Sequence, residues 1–318
     1  MSKNYSPTLV ISGDVKSIFL EIFFKSFKIA TRPLILIVSK KVLKKQMALL
    51  GYKFKLNEIF EQDINKIKLN NKVINFIDVP LKNENDQRRY LENCFNISLK
   101  IIKKNKDISI INGPINKEKF LKNRYLGITE YLGNKTKNLK DVVMLIYNQK
   151  LSVSPITTHL PLKDVYKNIT KSKIINHVKK IDFFLKKYLK KNPKIAITGL
   201  NPHCESNFKN SEEKNIIIPA INYLKSKKFK VSGPFPADTI FLKDNYKNFD
   251  VIIGMYHDQV LTPIKSIFGF NAINITLGLP FLRISPDHGP NVKMFGKNIS
   301  NPDSLREAIK FLDSKWQS

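Results

Sequence analysis

Lys194-Ile195-Ala196-Ile197-Thr198-Gly199-Leu200-Asn201-Pro202-His203 is a short apolar run that breaks into a polar loop punctuated by Gly and Pro. A helical stretch precedes it at Ile174–Lys190, and another comes after it at Glu212–Lys225. Helix, short buried strand, loop and helix make the repeating unit of an α/β fold with a largely parallel sheet. The same unit recurs outward in both directions. Apolar runs predict strands at Thr8–Ser12, Leu34–Val38, Val73–Asp78, Ile108–Ile111, Val142–Tyr147, Leu151–Ile156, Val251–Gly254 and Ala272–Thr276. Helical periodicity predicts helices at Lys41–Leu50, Asp86–Lys104 and Asp303–Trp316.

Sheets of this kind bind ligands beyond the carboxyl ends of their strands, so the residues just past each run matter most. Asn112-Gly113-Pro114-Ile115-Asn116-Lys117, Thr157-Thr158-His159, Gly199-Leu200-Asn201-Pro202-His203 and Met255-Tyr256-His257-Asp258-Gln259 all stand at the ends of predicted strands. Three of the five histidines, His159, His203 and His257, therefore converge on one rim. Three imidazoles with an open position suit a catalytic transition-metal site. Their spacings of 44 and 54 residues are long, and loop histidines that only make hydrogen bonds would give the same pattern. His177 lies in a lysine-rich helical stretch and reads as part of a solvated face. Asp238 and Asp258 read equally as groups that orient ligands or as turn and cap carboxylates. Lys265, Asn274 and Arg283 cluster in the last third, where a Lys and an Arg in strand-end loops can clamp a phosphate or carboxylate.

Composition narrows the classes. The 318 residues (36.7 kDa) are 42% hydrophobic and 25% charged, enough for one large domain or two modest ones with a real core. The net charge of +29 invites a polyanion partner. However, only six of the 55 basic residues are Arg, which leaves 49 Lys. Nucleic-acid readers lean on the bidentate Arg fork, and the lysines are spread along the whole chain, so neither a nucleic acid nor a membrane is the expected partner. No apolar run approaches the ~20 residues of a spanning helix. Two cysteines make no disulfide framework, and the expected compartment is the cytoplasm.

The segments now in view resemble the 4-hydroxythreonine-4-phosphate dehydrogenase family of pyridoxal phosphate biosynthesis. The matching pieces run in order from about Asn112 to Asp303. They include Gly113-Pro114-Ile115-Asn116-Lys117-Glu118, Thr129-Glu130-Tyr131-Leu132, Thr157-Thr158-His159-Leu160-Pro161-Leu162 and Gly199-Leu200-Asn201-Pro202-His203. Gly233-Pro234-Phe235-Pro236-Ala237-Asp238-Thr239, Tyr256-His257-Asp258-Gln259, the block Asn274–Arg283 and Asp287-His288-Gly289 complete them.

The resemblance implies a two-domain α/β/α fold of the isocitrate/isopropylmalate dehydrogenase type, with the active-site cleft between domains. The expected division is 1–125 with 285–318 as one domain, and 126–284 as a second that carries the metal site and the dimer interface. The resemblance also implies a homodimer and a divalent metal (Zn, Mg or Co) on His159, His203 and His257, one of them supplied across the dimer interface. The small anionic phosphorylated substrate is expected to meet Ile128, Thr129, Lys265, Asn274 and Arg283. The cofactor, NAD or alternatively NADP, is expected to meet Asp287, His288, Gly289, Gly296 and Lys297. The implied reaction oxidises 4-phosphohydroxy-L-threonine at C3 and decarboxylates the product to 3-amino-2-oxopropyl phosphate. Asp238 and Lys117 are the candidates for the base that takes the hydroxyl proton.

Four positions depart from the family pattern. The family's Gly-Asp-Pro-Ala-Gly-Ile-Gly-Pro-Glu segment is here Gly13-Asp14-Val15-Lys16-Ser17-Ile18-Phe19-Leu20-Glu21, which keeps only Gly13, Asp14, Ile18 and Glu21. Bulkier residues there should reshape the wall. The Gly-His-Thr motif is Gly127-Ile128-Thr129, which removes one polar substrate contact. The Ala-Gly-Glu-Gly-Gly loop is Cys204-Glu205-Ser206-Asn207-Phe208, with Cys204 read as a small residue rather than a fourth ligand. Gly-Thr/Ser in the nucleotide loop is Gly289-Pro290. Two alternatives therefore stand beside the expected activity. One is a related metal- and NAD-dependent dehydrogenase of another hydroxy acid or sugar-acid phosphate. The other is a non-catalytic phosphoester-binding paralogue.

Overall fold

The computed structural model describes residues 6–64, 66–83, 86–105, 107–122, 124–139, 142–204, 210–269 and 271–314. Its strands are β1 Thr8–Ile11, β2 Leu34–Val38, β3 Leu56–Glu58, β4 Ile74–Asp78, β5 Ser109–Asn112, β6 Val143–Tyr147, β7 Ser152–Thr157, β8 Ile195–Thr198, β9 Val231–Phe235, β10 Val251–Tyr256, β11 Ile273–Leu277 and β12 Arg283–Pro286. Its helices are α1 Phe19–Phe24, α2 Lys40–Leu49, α3 Gln87–Lys104, α4 Lys117–Leu121, α5 Ile128–Lys135, α6 Leu162–Val165, α7 Lys171–Leu189, α8 Ile218–Ser226, α9 Ala237–Ile240, α10 Lys243–Tyr246, α11 His257–Phe268 and α12 Asp303–Ser314. The predicted Glu205–Phe208 loop and the end of the last predicted helix lie outside the described residues.

The chain divides into two compact units, residues 1–123 with 280–318, and residues 124–279. In the first, strand order is β3-β4-β2-β1-β5-β12, parallel throughout. Its inner strands are buried on both faces, which explains runs such as Leu34-Ile35-Leu36-Ile37-Val38 with no polar alternation. In the second, the order is β11-β6-β7-β10-β8-β9. Here β6 runs antiparallel to both neighbours and the other pairs are parallel. Reversing β6 alone leaves β7, β8, β9, β10 and β11 pointing the same way, so their carboxyl ends share one edge.

The sequence pattern misplaces some elements. The edge strands β3 and β9 escape it because Leu56-Asn57-Glu58 carries one apolar residue and Val231-Ser232-Gly233-Pro234-Phe235 contains Gly and Pro, which edges tolerate. The helix predicted at Glu212–Lys225 is present, with a π-helical first part at Glu213–Ile217 that continues into α8. His177 is not on a solvated face. It falls on the buried stripe of α7 with Ile174, Val178, Ile181, Phe184 and Leu185. Burial pushes its pKa down to about 4, and Nδ1 lies 3.1 Å from the Lys173 carbonyl oxygen.

Candidate active site

In the 124–279 unit, adjacent parallel strands β7 and β10 end in register, with Thr157 opposite Tyr256. Thr157 Oγ1 donates to the Met255 carbonyl at 2.8 Å, tying the two ends together. His159 and His257 come directly after, and their ring centroids lie 5.5 Å apart. Two imidazoles sharing an ion at Zn–N distances of ~2.1 Å would place their centroids about 5 Å apart, so the pair fits a shared divalent metal. Asp258 Oδ1 lies 2.6 Å from His257 Nδ1. A carboxylate on one ring nitrogen fixes the tautomer and leaves Nε2 for the metal.

β8 supplies the third histidine's loop. Glu213 is buried and accepts from the Leu200 and Asn201 amides and from Asn201 Nδ2, each at 2.8 Å. Burial works to raise the Glu213 carboxyl, but these hydrogen bonds outweigh it and hold the group below its ordinary range. Buried Gln259 joins this loop to the β10 edge. Its Oε1 accepts from the Met255 amide (2.6 Å) and Thr198 Oγ1 (3.0 Å), and its Nε2 donates to the Gly199 carbonyl (2.8 Å). His203 is exposed on this loop with φ +56, and the described residues contain no group of three or more His, Cys, Asp or Glu set to hold a metal within one chain. Cys204 packs on Gly199, where an added Cβ would lie 2.6 Å from Sγ. Its thiol is pushed up by burial, against a hydrogen bond involving Gly199 and with the Glu213 and Asp238 charges adding to the rise. Asp238 itself is exposed in α9, just past β9.

The substrate candidates of this unit sit on regular elements. Gly127 caps α5, which begins with buried Ile128 and Thr129. Thr129 Oγ1 meets Thr276 Oγ1 of β11 at 3.2 Å. A Cβ on Gly127 would lie 3.1 Å from His159 Cε1 and 2.8 Å from Glu130 Oε2, so only glycine lets His159 pack there. Thr158 Oγ1 donates to Glu130 Oε1 at 3.1 Å. Asn274, on β11, has a buried Oδ1 with no hydrogen-bond partner among the described residues. Lys265 is exposed on α11, not in a strand-end loop as expected.

The other unit holds the remaining candidates. Arg283 is not in a loop either. It opens β12, is buried, and donates from Nε to Asn112 Oδ1 at 2.7 Å, which fixes the guanidinium plane. Lys117 is exposed at the start of α4, whose N-cap Asn116 accepts from the Lys119 amide through its side chain. Asp14 accepts from Gln87 Nε2 and from the Asn116 amide, both at 2.7 Å. Burial raises its carboxyl, against the two hydrogen bonds and the Lys119 charge. Phe19, fully buried, packs so closely on Gly113 that an added Cβ would lie 2.6 Å from its Cγ. After β12, the Asp287 amide donates to Ser304 Oγ at 2.8 Å. His288 has its pKa lowered by burial, against a hydrogen bond to the Gly289 carbonyl and the Asp287 charge. Gly296 adopts φ +75, and Gly289 and Lys297 are exposed.

Sequence reasoning passes over Glu130, Glu213 and Gln259. Each is polar, and only tertiary structure shows what it holds.

The family model for the pyridoxal phosphate biosynthetic protein PdxA matches residues 30–312. A 4-hydroxythreonine-4-phosphate dehydrogenase from Sulfurihydrogenibium is 38% identical over 313 residues, 94% of each chain. A D-threonate 4-phosphate dehydrogenase from Pectobacterium atrosepticum is 32% identical over 250 residues, covering 75% of this chain and 76% of its own. A crystal structure of a 4-hydroxythreonine-4-phosphate dehydrogenase from Klebsiella pneumoniae matches 99% of each chain with a TM-score of 0.83 and 28% identity.

Proposed function

The chain belongs to the family of the pyridoxal phosphate biosynthetic protein PdxA, and from that premise we propose that it is a 4-hydroxythreonine-4-phosphate dehydrogenase. It oxidises 4-phosphohydroxy-L-threonine at C3 with NAD, and the resulting β-keto acid loses carbon dioxide to give 3-amino-2-oxopropyl phosphate. The observation that carries the reading is the His159–His257 pair at adjoining strand ends, with Asp258 on the back of His257.

His159 and His257, with His203 as the third ligand, would hold a divalent ion that supplies Lewis acidity to the substrate oxygens. Asp287, His288, Gly289, Gly296 and Lys297 would hold NAD, which would supply the hydride acceptor. Thr129 and Asn274 offer the hydroxyl and the amide that orient the substrate. Lys265 and Arg283 offset its negative charge, and a positive surface speeds the arrival of an anion. Asp238 and Lys117 are the candidates for the group that takes the hydroxyl proton. The protein acts as a homodimer.

Ile128 favours a second reading, in which the oxidised substrate is a related hydroxy acid phosphate such as D-threonate 4-phosphate. A buried isoleucine cannot hydrogen-bond the group that a polar residue would meet. Purified protein loaded with a divalent metal should form NADH from 4-phosphohydroxy-L-threonine, and His203→Ala should abolish it. Metal bound without turnover would move the reading to the second substrate class. Failure to bind metal would leave a non-catalytic phosphoester-binding protein.

A further inference from the structure

The loop after β12, from Gly289 to Ser300, has no regular structure beyond one 3-10 turn at Val292–Met294. Asn291, Gly296 and Asn298 all take positive φ, at 48°, 75° and 57°. A backbone with that much left-handed conformation is held by its surroundings. Pro290 contributes no side-chain hydrogen bond. Tyr52 donates from its hydroxyl to Asn298 Oδ1 at 3.4 Å, and the rest of the holding comes from the ends of α1.

The Ile18 amide, at the N-cap of α1, donates to the Pro290 carbonyl at 3.1 Å. Past the other end of the helix, Lys25 Nζ donates to the Asn298 and Ser300 carbonyls, each at 3.0 Å, and to Glu21 Oε1 at 2.8 Å. Those three bonds match the three donors of an ammonium group. Glu21 Oε1 also accepts from the Ser300 amide at 2.5 Å. Glu21 is 2% exposed, and its Oε2 has no hydrogen-bond partner among the described residues, so Lys25 is the cation that offsets its buried charge. The six-residue helix thus grips both ends of the loop.

We infer that Glu21 and Lys25 are positioning residues for the cofactor: their ion pair sets the 298–300 backbone and so presents Gly296 and Lys297 to the nucleotide. The inference rests on the proposed assignment of this loop to NAD. It gives Glu21, one of the four residues retained in an otherwise rewritten segment, a function apart from the segment's lost glycines.

The test is NAD affinity, measured by titration calorimetry on metal-loaded protein, so that turnover is not the readout. Lys25→Met should weaken NAD binding about tenfold, the size of one charge-assisted hydrogen bond lost from the loop's support. Affinity for 4-phosphohydroxy-L-threonine should change less than about twofold. Lys25→Arg, which keeps the charge and donors, should restore NAD binding to within about threefold of wild type. Lys25→Met leaves Glu21 buried and uncompensated, so Glu21→Gln/Lys25→Met is the parallel variant that keeps the site neutral and the protein folded. It should show the same selective loss. NAD affinity unchanged in the folded double variant, or an equal loss for both ligands, would overturn the inference. Wild-type protein that binds metal but no NAD would overturn the assignment of the loop, and the inference with it.

Discussion

The strand edge carrying His159 and His257 and the segment Gly13–Glu21 have diverged in opposite ways. On the first, the residues that could do chemistry stand unchanged from the family pattern. The second keeps only four of nine, and each of the four has a job in the backbone. Gly13 has φ +72, and an added Cβ would lie 2.4 Å from the Pro114 carbonyl oxygen. Asp14 holds the Asn116 amide and Gln87. Ile18 is buried and donates its amide to the Pro290 carbonyl of the 289–300 loop. Glu21 anchors the far end of that loop. The replaced positions include Phe19, which now fills the space over Gly113. The difference separates two kinds of retention. One edge retains its histidines and their hydrogen-bond partners, and the segment retains only the residues that set the backbone.

If that contrast holds, substitutions on the two sides fail differently. The largest effect is expected from His257→Ala, which should cut NADH formation by at least about a thousandfold and lower bound metal, with the thermal midpoint of the apo protein little changed. An unchanged metal content would break the contrast. Next is Gly13→Ala, on the scaffold side. The positive φ and the 2.4 Å approach to the Pro114 carbonyl oxygen leave no room for a methyl group. It should cost about 3 kcal/mol of stability by denaturant titration, and activity should fall in step with the folded fraction.

A histidine outside the site sharpens the comparison further. Burial holds His177 at about 4, below the ~6.5 of an unfolded chain. Protons therefore bind the unfolded state first, and stability that is full above about pH 6.5 is lost as pH falls toward 4. His177→Leu should remove on the order of 2–3 kcal/mol of that acid sensitivity, read as a flatter unfolding midpoint across this window. Equal acid loss in both proteins would contradict it. The smallest effect is expected from Ile128→His, which restores a polar group beside Thr129. It should lower KM for 4-phosphohydroxy-L-threonine about tenfold without altering kcat for NAD reduction as strongly. No change would mean that the pocket has re-formed around the isoleucine.

Much of the sheet is legible from apolar runs, because strands buried on both faces are rich in Val, Ile and Leu with few charged residues among them. Leu34–Val38 is read to the residue, and most other strands to within one or two. β3 and β9, at the sheet edges, bury less and carry the turn-forming residues that edges allow, so their runs are too weak to see. The site is legible where a residue type is rare, as with five histidines and six arginines in 318 residues. The sequence pattern puts Lys265 and Arg283 in loops, with Pro263 close to the first and Gly278 and Pro280 to the second, whereas a helix and a strand carry them. Gln259 and Glu213 have no local signal, because Gln259 bridges two strand ends and Glu213 holds a loop 12 residues away in the chain. His177 misleads because its lysine neighbours mask an apolar stripe that the spacing of Ile174, Val178 and Ile181 already contains.

The retained edge is expected to work on the phosphorylated hydroxythreonine despite Ile128. The direct measurement is kcat/KM for NADH formation, with one metal-loaded preparation given 4-phosphohydroxy-L-threonine and D-threonate 4-phosphate in turn. The predicted result is turnover of both, with 4-phosphohydroxy-L-threonine preferred at least about tenfold. NADH from D-threonate 4-phosphate alone, or from neither substrate while metal stays bound, would contradict it.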